Sequence, residues 1–509
     1  MDDSTRYVMA LDAGTGAGRC LLVSLDGQHS VEKYQEWQYE FPAEAQPGGA
    51  EFDPEVFWGI FANLIHRALA ESGVSPGQVV GISSTSQREG IVLLDRAGRE
   101  LYAGPNIDIR SPSDGARIAA DFGEDIYQVS GHWPFPMFAP YRLLWFKEHK
   151  PELYERVHTM LLLNDWILYR LSGVRASEPS NATETLLFDL KTRRWATDLI
   201  ARLGLPESIY PPVFASGTQI GEVTPEAAAA TGLKAGTPVV TGGGDTQCAL
   251  LGTGAIEDGQ ISTVLGTYAP SQLVVNRPII DPQYRAWSGC HVVPGKWVVE
   301  STAMEAGQAF RWTRDVFYGG GGTDVYSIMD GEAAIAPVGA RGIQAFIGPR
   351  VSNYRYLSFS VRGAFFFQLP PLPGSASRGD FARAVLESIA YGVRANIERL
   401  QSISGRQVTK LRICGGVSKG QTLPRVLADV LNMPVLVPEL KEGSAMGAAL
   451  CAAVGSGSFN SFSEAVAAMV HWERELVPHP DRVEAYQALY EQWLELAPQV
   501  YGPEAIGEV

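Results

Sequence analysis

Five short clusters in the 509-residue chain carry residue types suited to chemistry. Asp12-Ala13-Gly14-Thr15-Gly16 is a glycine-rich turn between two apolar runs, 7–12 and 20–25. Small residues at a hairpin tip let backbone amides approach an anion, and Thr15 adds a hydroxyl. Asp12, at the strand end, suits a hydrated Mg2+. Leu265-Gly266-Thr267 repeats the tip later in the chain. Gly242-Gly243-Gly244-Asp245 follows a Val-Val strand and sets a carboxylate at its end, beside room for a substrate. That arrangement suits a general base acting on a hydroxyl, or a metal ligand; an ordinary helix cap is the plainer reading of Asp245. Gly415-Gly416-Val417-Ser418-Lys419-Gly420 lies between strand and helix, where glycines admit a flat base. Gln87-Arg88-Glu89 and Asn106-Ile107-Asp108-Ile109-Arg110 put charges at strand ends, where they suit polyol hydroxyls or surface ion pairs. Trp133, Phe135, Met137 and Phe138 either line that site or pack on a core.

The elements that must hold these clusters follow from periodicity. The first tip opens a strand, not a helix, and its spacing is GxGxG. Both facts argue against a Rossmann dinucleotide site, and no GxxxxGK[ST] loop exists. A third strand alternates through Val31, Tyr34, Trp37, Tyr39 and Phe41 with one slip. Helical spacing predicts a helix over 54–72, helices through 139–172, and an amphipathic helix over 380–402. Strands are predicted at 79–86, 90–95, 238–245, 260–275, 296–302, 363–369 and 410–416, with helices at 422–432 and 483–497. The stretch 319–324 reads as a surface loop. Gly14-Thr15 and Gly266-Thr267 lie 252 residues apart, close to half the chain, each between apolar strands. That spacing predicts two homologous halves.

Composition narrows the function classes. Net charge is −15 and pI about 5.1, which argues against nucleic acid or an anionic membrane as main partner. Phosphate must then be met by amides and metal. Five scattered cysteines without a CxxC pair suggest neither a disulfide framework nor a zinc site. No apolar run reaches 18 residues and no secretory leader opens the chain, so the cytoplasm is expected and Asn181-Ala182-Thr183 is a chance glycosylation match. One rival stands. Gly416-x-Ser418-x-Gly420 fits the nucleophile elbow of a serine hydrolase, with Asp429 and His471 or His479 downstream, but it leaves the other clusters unexplained.

Together the clusters resemble the FGGY carbohydrate kinases, over nearly the whole chain and in order. DAGTG (12–16) and LGT (265–267) resemble the two phosphate motifs, GGGD (242–245) the segment with the catalytic aspartate, and GGVSKG (415–420) the adenosine segment. RGAFFF and RGDFARAVLESIAYGV (362–393) resemble a family signature, lengthened by PPLPGSAS. The resemblance implies an α/β fold of two duplicated actin-like (ribonuclease H-like) ATPase domains around a central cleft. Residues 1–253 would carry sugar and base, and 254–509 the nucleotide. It implies ATP and Mg2+ as cofactors, with Asp245 as the base and Asp12 and Asp245 on the metal. Arg88, Glu89, Asp108 and Gln247 would hold the sugar; Gly14, Thr15, Gly16, Gly266, Thr267, Gly415 and Gly416 would hold ATP. The partner is a small sugar or polyol, and a homodimer is the assembly to test for.

Within the family, REGIVL (88–93), NIDIR (106–110), RLLW (142–145), PSNATETLLFDL (179–190) and GGGDTQ (242–247) are similar to the autoinducer-2 kinases, which act on a linear five-carbon dihydroxy-dione. Xylulokinases are the alternative, although they typically carry Gln-Met-His-Gly where this chain has Gln87-Arg88-Glu89-Gly90. Glycerol kinases share the Arg-Glu pair but place Gln directly after the aspartate, where Thr246 stands here. An actin-fold ATPase without a sugar acceptor is a further alternative.

Overall fold

The computed structural model describes residues 5–110, 112–322, 324–357, 361–368 and 376–502, with backbone alone for 112–116. The opening strands build a mixed sheet. β1 (Tyr7–Ala13), β2 (Ala17–Ser24) and β3 (Ser30–Glu36) pair antiparallel in turn, and β4 (Val79–Ser86) lies parallel to β1. β5 (Ile91–Leu94), β6 (Glu100–Gly104) and β7 (Thr159–Leu162) form an antiparallel side sheet. β8 (Gln219–Glu222) and β9 (Pro238–Gly244) complete the main sheet in the order β8-β9-β4-β1-β2-β3. Because side chains alternate along a strand, Tyr7, Met9 and Leu11 face α1 (Pro54–Ser72) and α2 (Leu163–Ser172), while Val8 and Ala10 face the other way. Asp53 starts α1 by accepting the Glu55 and Val56 amides, and Gly73, at φ 65°, ends it.

The second half repeats the plan. Its strands are β10 (Ile261–Val264), β11 (Pro270–Val275), β12 (Trp287–Cys290), β13 (Trp297–Thr302), β14 (Leu411–Cys414), β15 (Val435–Pro438) and β16 (Trp472–Leu476). Their order is β12-β13-β11-β10-β14-β15-β16. The series β3-β2-β1-β4-β9 and β13-β11-β10-β14-β15 match in order and in which pairs run parallel. The Gly-Thr tips connect β1 to β2 and β10 to β11, the corresponding pair of each series, so the repeat predicted from their spacing is present in three dimensions.

Two helices lie between the sheets and are exchanged. α3 (Asp245–Gly252), from the first half, sends Leu250 against Val274 and Val298 of the second sheet. The helices of the second half include α4 (Ala306–Phe317), α5 (Asp324–Ile335), α6 (Arg378–Ser404), α7 (Thr422–Leu431) and α8 (Gly443–Gly455). Of these, α8 lays Ala445, Ala448, Ala449 and Ala452 on Val8, Ala10, Leu21 and Val23 of the first sheet. α3 and α8 also pack on each other at very short range. A Cβ on Gly447 would lie 1.9 Å from the Cys248 carbonyl oxygen, and one on Gly252 2.1 Å from that of Gly443. The small-residue run GSAMGAALCAAVG is what permits this approach.

Several sequence expectations are corrected. The region 139–172 is not all helix: β7 inserts TMLL, directly followed by α2. The third strand stops at Glu36, because Trp37 and Tyr39 leave the sheet to brace the first tip. The expected strand 363–369 shrinks to Ala364–Phe366, pairs only with Gln344–Phe346 and stands outside both main sheets. Leu369, residues 370–375 of PPLPGSAS and Thr323 of the 319–324 loop lie outside the described residues. Among the described residues no helix is long and apolar enough to cross a membrane. Asn181 is fully buried and hydrogen-bonded to Ser86 and Asn164, consistent with a chance glycosylation match.

Candidate functional site

Each hairpin tip leaves consecutive amides open. The Gly14 amide is spent on the Ala17 carbonyl and the Gly266 amide on that of Tyr268. The amides of Thr15 and Gly16, and of Thr267 and Tyr268, donate to nothing among the described residues. The Gly14 and Gly266 amides, expected to meet phosphate, instead close the turns, and the open N–H groups belong to the next residues. The Thr15 hydroxyl is shared with Asn106, which also donates to it over 3.1 Å.

Asp12 and Asp245 converge at the ends of β1 and β9. Asp245 begins α3, and its Oδ1 accepts the Thr246 amide at 2.7 Å. Burial pushes this carboxyl up to about 7, with Arg88 pulling it down and Asp12 pushing it up. Burial likewise raises Asp12 to about 6, against the pull of Arg19. Arg19 reaches Asp12 at 3.3 Å and Glu442 of the second half at 3.3 Å, and Glu442 pairs with Lys419 at 2.9 Å. The glycines before Asp245 are explained by packing, not by room for a substrate. A Cβ on Gly242 would strike the Ser84 carbonyl at 1.8 Å, and one on Gly243 would strike Val292 and Ser180. Gly244 is bare because Arg88 and Gln247 lie against it.

Beside Asp245 sits a buried group of acids around one guanidinium. Arg88 grips Glu300 through two hydrogen bonds, 2.9 and 3.1 Å, and reaches Glu184 at 3.4 Å. Burial alone would raise Glu184; Arg88 and His132, at 3.1 Å, overcome it and hold the carboxyl down at about 2. Gln247 donates to Glu184 at 2.8 Å, so it is in the cluster. Glu89 is there too, pushed up to about 8 by burial. Its backbone is left-handed, φ 65°, a conformation that costs a non-glycine residue on the order of 1–3 kcal/mol and concentrates at functional sites. Arg142, fully buried, holds that turn: its guanidinium donates to the carbonyls of Glu89, Met137, Gly104 and Pro105.

Asp108 is not brought to this group. Its carboxylate is fully buried and taken up by Tyr102 and by Arg110, whose Nε lies 3.0 and 2.9 Å from the two oxygens. Arg110 in turn is stacked on Tyr102, Trp145 and Phe146. A short Asp-x-Arg spacing let the pair satisfy itself, so the NIDIR stretch supplies scaffold here. Trp133, Phe135 and Phe138 pack in a core with Trp287, as their plainer reading had it.

On the other side of the second tip lies a cavity of about 900 Å3, bounded by Gly266, Thr267, Gly307, Arg311, Gly416 and Lys419 among others. Phe310 and Tyr326, stacked 5.7 Å apart, form part of its wall. Gly416 lies on the wall of this cavity. Gly415 does not: its φ is 91° and a Cβ would meet the Leu265 carbonyl at 2.8 Å, so it serves the packing of β14's end on the tip. Ser418 turns its hydroxyl to the Gly415 carbonyl at 2.6 Å, and Asp429 pairs with Arg482 and the His479 amide. The hydrolase triad is not assembled. A cavity of about 890 Å3 against the C-terminal helix (Pro480–Tyr501) holds none of the candidate residues.

The donor set fits Mg2+. Asp12 and Asp245 offer hard oxygens from two elements, and the buried Oδ1 of Asp12 has no hydrogen-bond partner. Among the described residues no group of three or more His, Cys, Asp or Glu could hold a metal; Mg2+ commonly takes one or two carboxylates and completes its shell with phosphate and water.

Glu184, His132, Glu300, Gln272 and Arg142 escaped the sequence reading. Glu300 had a signal, a charge inside the apolar strand WVVEST. Arg142 and Glu184 lie in the stretches 142–145 and 179–190 that carry the resemblance, without a role assigned; His132 and Gln272 had no signal, since their meaning comes from contacts between distant segments.

Comparison with known proteins agrees with this geometry. Residues 7–252 match the N-terminal domain of the FGGY family of carbohydrate kinases, and 262–456 match its C-terminal domain. An autoinducer-2 kinase of Escherichia coli is 34% identical over 502 residues, covering 96% of this chain and 94% of its own. One from Yersinia enterocolitica is 34% identical over 498 residues, with 96% and 93% covered. A crystal structure of a xyloylose kinase from Brucella ovis superposes with a TM-score of 0.83 at 26% identity, covering 97% of this chain and 99% of that one. The chain belongs to the FGGY family of carbohydrate kinases and is an ATP-dependent sugar kinase.

Proposed function

We propose that this FGGY kinase transfers the γ-phosphate of ATP to a primary hydroxyl of a small open-chain acceptor, first of all an autoinducer-2-type five-carbon dihydroxy-dione. The observation that carries the reading is the acid group around Arg88 beside Asp245. Glu89, Glu184, Asp245 and Glu300 crowd one guanidinium in a buried space. With Glu300 tied to Arg88 and Gln272, the remaining acids still outnumber the guanidinium and suit a ligand that offers hydroxyl donors. The 34% identity to enzymes named autoinducer-2 kinase supports the choice of acceptor.

In this mechanism Asp245 takes the proton of the attacking hydroxyl. A carboxyl at about 7 is half-ionised near neutrality and basic enough to accept that proton. Arg88, Glu89 and Gln247 orient the acceptor. The open amides of Thr15, Gly16, Thr267 and Tyr268 receive phosphate oxygens, and the 900 Å3 cavity takes the nucleoside. Asp12 and Asp245 would hold Mg2+, which supplies neutralisation of phosphate charge when bound. Enclosure of the acceptor group keeps water from competing for the phosphoryl group.

A pentulose of the xylulose type is the second reading, favoured by the fold neighbour of that class. A kinase assay across the dihydroxy-dione, xylulose, ribulose, erythritol, glycerol and gluconate tests both. The highest kcat/KM is expected for the dihydroxy-dione. A maximum at xylulose selects the second reading, and a flat response across the panel overturns both.

A further inference from the structure

We propose that Glu300, on the second half, is the positioning residue for Arg88 of the first half, so that the acceptor site is completed only by the opposite half. This rests on the reading that Arg88 contacts the acceptor.

Both oxygens of Glu300 are spent on protein donors. Oε2 accepts from Arg88 Nη1 at 2.9 Å and from Gln272 Nε2 at 2.6 Å, and Oε1 accepts from Arg88 Nη2 at 3.1 Å. Both oxygens of Glu300 are thus engaged by protein donors, two of the three bonds by the Arg88 guanidinium, so it acts through Arg88. The pair is not a surface ion pair of small value: the side chains are 13% and 3% exposed. Losing one partner strands a buried charge, which is strongly unfavourable. Arg88 still has donors left. Its Nε–H and one Nη2–H make no hydrogen bond among the described residues, and a planar fork fixed at one edge presents the remainder in a defined direction.

The second half adds two further contacts. Trp287 of β12 lies under the guanidinium, 5.8 Å from its ring centre. Gln272 of β11 donates both to Glu300 and, over 3.2 Å, to the hydroxyl of Thr246, the neighbour of Asp245. The acceptor-facing cation and the first turn of α3 are thus registered by the same two side chains of the other sheet. Affinity for the acceptor becomes a function of how the halves sit together.

The test compares Glu300→Gln, Glu300→Asp, Arg88→Lys and the double variant Arg88→Lys/Glu300→Gln in the full chain. The readouts are acceptor KM and kcat with the dihydroxy-dione and with xylulose, ADP affinity by calorimetry, and melting temperature. E300Q is expected to raise acceptor KM roughly 10- to 100-fold, the loss typical of a charge-assisted hydrogen-bonded pair. Its kcat should fall less, and ADP affinity should stay within twofold. E300D, which keeps the charge, should recover part of the loss. The double variant should be little worse than the worse single, because both remove one interaction. If R88K raises KM and E300Q does not, the positioning role is overturned while the acceptor reading stands. If neither moves KM, the acceptor reading of Arg88 fails. Equal losses in acceptor and ADP binding with a lowered melting temperature would make Glu300 merely structural and also overturn the proposal. Should E300Q not fold, E300D and Gln272→Ala decide by the same readouts.

Discussion

The first hairpin tip is braced by side chains of its own sheet edge, whereas the second is braced by a helix end. Trp37 and Tyr39 donate to the Thr15 carbonyl. At the second tip, the amides of Gly307 and Gln308, at the start of α4, donate to the carbonyls of Gly266 and Thr267. In both cases the tip carbonyls are occupied by protein donors, and amides at the tip stay open. The backbone device has been duplicated, but its support has diverged, and so has its neighbourhood. Behind the first tip stand buried acids with raised carboxyls; behind the second opens a roomy cavity with Arg311 and Lys419 at its walls. A duplicated phosphate clamp can therefore assign chemistry to one copy and nucleotide holding to the other without altering the turn itself.

Variants in the two halves should separate those duties. The largest effect belongs to Asp245→Asn: kcat should fall by roughly 10²–10⁴-fold, with ADP affinity by calorimetry within about twofold. Wild-type turnover would remove Asp245 from its role. Next, Gly307→Val should raise the KM for ATP at least about tenfold with little change for the acceptor, since its Cβ would lie 2.1 Å from the Gly266 carbonyl and displace the second tip. An equal rise for both substrates would erase the division of labour.

The pH profile should carry the mark of the first half. With Asp245 at about 7 in the free protein, kcat/KM for the acceptor should decline about tenfold per unit below pH 7. A plateau down to pH 5 would contradict it. Stability should run the other way. Asp245 binds a proton more tightly folded than unfolded, so folding loses stability as pH rises from about 4 to 7, and above 7 the penalty is constant. Asp12 and Glu178, at about 6 and about 7, add the same sign. D245N should therefore melt higher than wild type at pH 8 and like wild type near pH 4, as read by calorimetric scans. The smallest effect is expected on folding from Gly16→Ala, whose melting temperature by calorimetry should match wild type, because no atom of the protein lies within 4 Å of the added methyl.

Much of this was legible in the chain because it was local. A Gly-Thr turn between apolar runs and a glycine-fed aspartate are contained in short windows, the half-length repeat needs only two such windows compared, and each is found where expected. The residues that were missed are defined by long-range contact. Glu184 acquires its role from His132, Arg88 and Gln247, and Glu300 from an arginine 212 positions away. Asp108 misled for the converse reason, since a partner two residues on satisfied it. β7 was hidden because four buried residues without alternation, joined directly to a helix, carry no period of their own. The exchange of α3 and α8 was invisible because small residues in a helix do not say which sheet they will lie on.

That exchange bears on how the protein is made. The face of the first sheet formed by Val8, Ala10, Leu21 and Val23 leaves the ribosome long before its cover, α8, which is encoded after residue 442. At ~5–20 residues per second the nascent chain carries that apolar face uncovered for on the order of a minute. The first half is thus an obligate client of its own unfinished remainder, and truncation before α8 should yield an aggregating fragment in place of a smaller enzyme.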